Sequence, residues 1–145
     1  MLAIKQKLLI FFLILLTTFS YAENLQTKQL NILFESLSKI DNVNDGNLLE
    51  KKIWNLWNQH PHDDNLTYKL ELGTQLMYEG SYQYALQVFS NVVKSDPTWS
   101  EAWNKRATLL FFMEDYQKSL NDIENVLIIE PRHFGALSGR AQIFI

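Results

Sequence analysis

Apolar residues recur along this chain every three or four positions, the interval that places side chains on one face of an α-helix. Leu30, Leu33, Phe34 and Leu37 form one such stripe and predict a helix over about 25–40. "DNVNDG" then reads as a loop. Asn47 followed by Glu50 resembles a capping box, which predicts a second helix running to about His60 and ended by Pro61. Its apolar set is Leu49, Ile53, Trp54, Leu56 and Trp57. Leu86, Phe89 and Val93 make a further stripe, and Tyr116, Leu120, Ile123 and Leu127 another. Pro97 and Pro131 stop helices, because the residue before a proline is pushed out of the helical region.

The stripes repeat at a fixed offset of 34 residues. Asp96-Pro97 falls on Glu130-Pro131, Ala102-Trp103 on Ala136-Leu137, Arg106-Ala107 on Arg140-Ala141, and Leu110 on Phe144. In the other direction, Gly73 falls on Ala107, Leu76 on Leu110, Tyr82 on Tyr116, Ala85-Leu86 on Ser119-Leu120, Phe89 on Ile123 and Val92 on Val126. A chance amphipathic bundle would not hold this register. Small residues at 73, 107 and 141 would let the second helix of each hairpin approach closely.

This pattern resembles the tetratricopeptide repeat (TPR), a helix-turn-helix unit of 34 residues. Gly73, Leu76, Gly80, Tyr82, Ala85, Phe89 and Pro97 carry it in residues 66–99. Trp103, Ala107, Leu110, Tyr116, Ser119, Ile123 and Pro131 carry it in 100–133. Lys69 departs from the expected large apolar residue, Glu114 stands where the turn often has Gly, and Val92 and Val126 replace a usual Ala. The resemblance implies an all-α, TPR-type helical hairpin solenoid with about seven helices. Its parts are a helical hairpin cap over 23–65, repeats at 66–99 and 100–133, and an incomplete third repeat at 134–145. The cap is expected to cover the open end of the first repeat. The whole arrangement is similar to small exported TPR proteins of alphaproteobacteria, a group that brings no defined biochemical activity.

Residues 1–22, "MLAIKQKLLIFFLILLTTFSYA", read as a signal peptide. Lys5 and Lys7 precede an apolar run from Leu8 to Leu16, and Ser20 and Ala22 frame a cleavage site after Ala22. The run is shorter than the ~20 residues a bilayer span needs, which favours cleavage over an uncleaved anchor helix. The expected location is therefore periplasmic or secreted. With no Cys anywhere, a lipid-anchored lipoprotein, a disulfide framework and a Cys-based zinc site are excluded. The leader holds two of the 13 basic residues and none of the 16 acids, so the mature charge is 11 minus 16, or −5. That acidity argues against nonspecific nucleic-acid binding, which needs a basic surface.

No nucleophile, base and orienter constellation is visible, and no Gly-rich phosphate loop, so the chain is read as non-catalytic and without cofactor. "HPHDD" at 60–64 could offer metal ligands, but its spacing lacks the separation that regular elements give, and it reads as a solvated linker with no metal. His133 reads as structural. Trp54, Trp57, Trp99 and Trp103 read as core. Arg106 and Arg140 hold equivalent places and read as packed stems with their heads paired to acids.

In the TPR family the concave face is lined by the first helix of each repeat. Outward positions expected here are Thr67, Leu70, Thr74, Met77 and Tyr78, then Glu101, Asn104, Lys105, Thr108, Phe111 and Phe112, then Ser138 and Gln142. Thr74, Met77, Tyr78, Asn104, Lys105, Thr108, Phe111 and Phe112 are the candidate partner-binding residues. The surface would suit an extended peptide or a partner helix. Some TPR cochaperones hold a C-terminal carboxylate with a Lys, Asn and Arg ring. Leu70, Thr74 and Gly135 stand at three of those positions, which breaks the clamp. The reading is a periplasmic interaction module for a protein or peptide partner, touching membrane only if the leader stays uncut. A membrane-tethered assembly factor is the alternative, and a small hydrolase or metal-dependent enzyme the third option. The helix expected over about Arg132–Ile145 has no second helix after it. Leu137, Ala141 and Phe144 are expected to pack on the preceding repeat, with Ile143 and Ile145 uncovered. That pattern points to a longer protein or to burial by another chain.

Overall fold

A computed structural model describes residues 25–145. The signal-peptide reading of residues 1–22 falls outside them. Helices are the regular structure throughout the described residues: α1 (25–37), α2 (Val43–Trp57), α3 (Asp64–Tyr78), α4 (Tyr82–Ser95), α5 (Ser100–Phe112), α6 (Tyr116–Ile129) and α7 (Phe134–Ile143). None is long and apolar enough to cross a membrane. The chain divides after Asp63 into two compact units, each described by itself below.

In the first unit, α2 begins earlier than the sequence predicts. The carboxamide of Asn42 accepts the Asn44 N–H at 2.9 Å and supplies the cap, so residues 43–46 join the helix rather than a loop, and Asn47 lies inside it. A helix starts where an acceptor first meets its orphan N–H groups, and Asn42 is simply the earlier acceptor. The helix ends at Trp57, short of His60. Leu30, Ile53 and Trp57 are buried. Phe34 meets Trp57 at 5.9 Å, and Trp54 meets Trp57 edge-on at 5.4 Å, as core aromatics do. Gln26 Nε2 donates to the carbonyls of Leu56 and Gln59, tying α1 to the frayed end of α2.

The second unit holds the repeats. The α3/α4 and α5/α6 turns superpose bond for bond at an offset of 34. Ser81 N–H donates to Leu76 O at 2.9 Å, as Asp115 N–H does to Leu110 O at 2.9 Å. Gly80 N–H donates to Met77 O, and Glu114 N–H to Phe111 O. This is the helix-ending motif whose C′ residue must be left-handed. Gly80 has φ +76 and Glu114 has φ +61. A non-glycine residue there is strained by roughly 1 kcal/mol, so Glu114→Gly should raise the unit's stability by about that amount in urea titration. No change, or a loss, would show the strain is relieved elsewhere.

The links between repeats also share chemistry. Asp96 and Glu130 are extended, as residues before proline must be. Each carboxylate accepts the backbone N–H two residues on: Thr98 N–H at 2.8 Å and Arg132 N–H at 3.1 Å. Burial pushes the Glu130 carboxyl up, but the Arg132 guanidinium, bonded at 2.8 Å through Nε and Nη2, outweighs it and holds the group below the usual range.

Two buried clusters form the core of this unit. One joins Leu66, Leu70, Met77, Phe89, Val92 and Leu109 with their neighbours, and the other joins Ala107, Ile123, Val126 and Ala136. Gly73 is what lets α3 and α4 close. A Cβ there would lie 2.5 Å from Cε1 of the fully buried Phe89 ring. At 107, Ala suffices, and its carbonyl accepts the Ser119 hydroxyl at 2.8 Å.

The face of α7 differs from the expectation. Ala136 is buried and Ile143 packs against the second cluster, while Leu137, Ala141 and Phe144 are exposed. The register gives the reason. In α5 the equivalents of Ala136 and Ile143 are Ala102 and Leu109, both fully buried. Leu137, Ala141 and Phe144 correspond instead to Trp103, Ala107 and Leu110, on the side of α5 that α6 covers, where Ala107 and Leu110 are buried; among the described residues no helix covers that side of α7.

Candidate functional site

A cleft of about 160 Å³ opens between α5, α6 and α7. The first helix of each repeat supplies its walls. Asn104, Thr108, Phe111 and Phe112 come from α5, and Gly135, Gly139 and Gln142 from α7. Its remaining lining residues are Ala107, Ser119, Ile123 and Ala136, so the surface carries no charged side chain.

Four of the eight candidate binding residues meet here. Phe112 is half exposed and stands 6.2 Å from Phe111, whose ring also leans on Tyr116 at 5.4 Å. Thr108 donates its hydroxyl back to Asn104 O at 2.9 Å. The other four lie elsewhere. Tyr78 is 81% exposed at the end of α3, the place that Phe112 holds in α5. Thr74 is partly buried and donates to Leu70 O. Met77 belongs to the core, and so does Leu70, because these positions pack against the neighbouring helices. A pattern of one face in, one face out misses this: a stacked first helix has neighbours on more than one side.

Lys105 is partly buried beside Glu101, another position expected outside that the structure buries completely. The Glu101 carboxylate organises a polar cluster. Lys105 Nζ lies 3.1 Å from its Oε1. Asn104 Nδ2 donates to its Oε2 at 3.1 Å, and His133 Nε2 lies 2.9 Å from the same oxygen. His133 Nδ1 accepts the Ala136 N–H at 3.2 Å and so caps α7. That bond puts the ring proton on Nε2, which donates to Glu101. His133 is therefore structural in a specific sense: it fastens the start of the third repeat to the second.

Arg106 also behaves as expected of a packed stem with a paired head. Its Nε and Nη2 donate to the two Asp122 oxygens at 2.7 and 2.8 Å, a bidentate pair. Its guanidinium sits 4.9 Å from the Trp103 ring centroid. Arg140 is exposed. Around "HPHDD", His60 Nδ1 accepts the His62 N–H at 3.2 Å, and His60 is buried rather than solvated. Among the described residues no group of three or more His, Asp or Glu side chains converges as metal ligands would.

Stacked hairpins with a 34-residue register, closed by a small residue in each first helix, define an all-α TPR-type helical solenoid. No protein-family model matches the chain. It is similar to a TPR repeat-containing protein of Rhizobium etli, 56% identical over 59 residues, which are 41% of this chain and 29% of that protein. It is also similar to a tetratricopeptide repeat and J domain-containing co-chaperone of Cryptococcus neoformans, 35% identical over 69 residues, 48% of this chain and 13% of that one. The matches thus span less than a third of either relative. The repeats and these relatives support a likeness to TPR proteins, a class that works through protein–protein interaction and is generally non-catalytic.

Proposed function

We propose that this chain is an exported, non-catalytic interaction module that binds a peptide or helix of a protein partner along the first helices of its repeats. The observation that supports this most is the uncharged cleft that joins Asn104, Thr108, Phe111 and Phe112 to α7. Aromatic anchors dominate interface energetics, and a half-exposed Phe112 beside Phe111 offers one. Tyr78 and Thr74 hold on α3 the places that Phe112 and Thr108 hold on α5, which extends the same side along the repeats. In this reading residues 1–22 are its cleaved leader.

Replacing Phe111 and Phe112 together with Ala should abolish partner capture while leaving the chain folded, which a parallel melting curve checks. If changes at His62 and Asp63 abolish capture and the double Phe variant does not, the groove reading fails. Export is tested by the mass of the product in soluble and membrane fractions. A chain beginning at Glu23 in the soluble fraction fits a cleaved leader, and an intact Met1 segment in the membrane fraction fits the tethered alternative.

A further inference from the structure

The cleft between α5 and α7 has a chemistry narrow enough to specify its occupant. We infer that it takes one uncharged apolar side chain, of leucine to phenylalanine size, from an extended peptide, and that Asn104 Oδ1 accepts a backbone N–H of the same peptide. This rests on the groove reading above and deepens it.

Charge comes first. The two cations of α5 nearest the cleft are already paired, Lys105 with Glu101 and Arg106 with Asp122. The cleft itself is lined by no charged residue. An acidic side chain or a free carboxylate entering it would lose water and meet no counter-charge, a cost of several kcal/mol in round terms. A neutral apolar group loses nothing comparable and gains from burial.

Size comes second. A cavity of roughly 150 Å³ with apolar walls holds one benzene-sized group, and this cleft measures about 160 Å³. The space exists because α7 presents Gly135 and Gly139 to it, one helical turn apart. Their equivalents 34 residues earlier are Glu101 and Lys105, both with long side chains. Packing does not demand glycine at 139: a Cβ there would meet Ile123 Cδ1 at an ordinary 3.6 Å. Glycine inside a helix costs up to about 1 kcal/mol against alanine. The absence of a side chain at 139 thus lowers helix stability and yields open space.

The polar edge completes the fit. Glu101 can only accept, so the Asn104 carboxamide must turn its NH₂ toward that carboxylate. Its Oδ1 is left as an acceptor on the cleft side. A backbone N–H from the ligand matches it, with the apolar side chain of the same segment in the cleft.

The test is selection of random peptides, displayed with both ends blocked, on the full-length chain. The selected sequences should share one Leu, Ile, Met or Phe at a fixed position and show no enrichment of acids. Gly139→Leu should weaken the selected peptide by about tenfold or more, the value of one buried anchor, without lowering the melting temperature. Gly139→Ala, which introduces only that 3.6 Å contact, gives the milder version and should weaken it severalfold. Selection of acidic sequences overturns the inference. So does wild-type affinity in both Gly139 variants. If that affinity is still lost in the Phe111→Ala, Phe112→Ala variant, the groove stands and only the anchor falls. If no peptide is selected, both readings fall together.

Discussion

Phe89→Ala should destabilise the unit of residues 64–145 by about 3–5 kcal/mol, the range for deleting a fully buried Phe side chain. The ring is completely inaccessible and joins α3, α4 and α5 in the larger core cluster. Gly73→Ala should destabilise the same unit by a different route. The new methyl would lie 2.5 Å from Phe89 Cε1 and 2.8 Å from Cδ1, so the helices must part or the ring must move within a filled core. Overpacking of this kind costs about 1–3 kcal/mol, less up to about 1 kcal/mol that alanine returns in helix propensity. The two losses should not add. With the ring gone, the methyl has room and fills part of the hollow. The double variant should therefore be more stable than the sum of the singles predicts by about 1 kcal/mol or more. Urea denaturation of the four proteins measures this. Strict additivity would mean that the small residue at 73 is not there for the ring, and the account of how the hairpin closes would be wrong.

That contact was legible in the sequence as a small residue 34 positions from another small residue, with an aromatic one helix later. The repeat register placed α3 to α7 well because it records packing that recurs. Single positions where a local donor or acceptor decides were less legible. Asn42 moved the start of α2 because a carboxamide five residues earlier than Asn47 reached the first N–H groups. Glu101 looked like a surface charge on a first helix and is buried, because its partner His133 lies 32 residues away in a turn. Met77 and Leu70 looked outward because a helix wheel knows one neighbour, while a stacked hairpin has several. The face of α7 differs for the opposite reason, because among the described residues no second helix covers it as α6 covers α5. The buried Ala102 and Leu109 of α5 mark Ala136 and Ile143 as the inward face of α7, but nothing in the α7 stretch alone separates that face from Leu137 and Phe144. Half of the candidate site, Asn104, Thr108, Phe111 and Phe112, does converge. The glycines that hollow it carry no side chain and so gave no chemical signal.

Removing the Glu101 carboxylate should loosen the third repeat from the second. In Glu101→Ala the His133 Nε2 donor stays buried without its acceptor, and the Asn104 amide and Lys105 ammonium lose theirs. Both Glu101 and His133 are wholly inaccessible, so water does not easily replace the lost bond. Leaving a buried donor without its acceptor costs about 1–3 kcal/mol, and the lost Asn104 and Lys105 contacts add to it. The effect should also have a direction along the chain. His133 holds the Ala136 N–H at the start of α7 only while its ring is fixed by Glu101 at the other nitrogen. The α7 amides should therefore exchange with deuterium much faster in the variant, with the α3 and α4 amides changing less. Glu101→Gln separates charge from geometry. Its side-chain oxygen can still accept from His133 and Asn104, while its NH₂ turns Lys105 away. It should retain the slow exchange of α7 and recover most of the stability lost in the Ala variant. If Gln behaves like Ala, the attraction of Lys105 to the carboxylate carries the cluster instead, and Lys105→Met should then destabilise as much as either. If neither variant changes α7 exchange, His133 caps the helix without help and the link between the repeats lies in apolar packing around Ala136 and Ile143 alone.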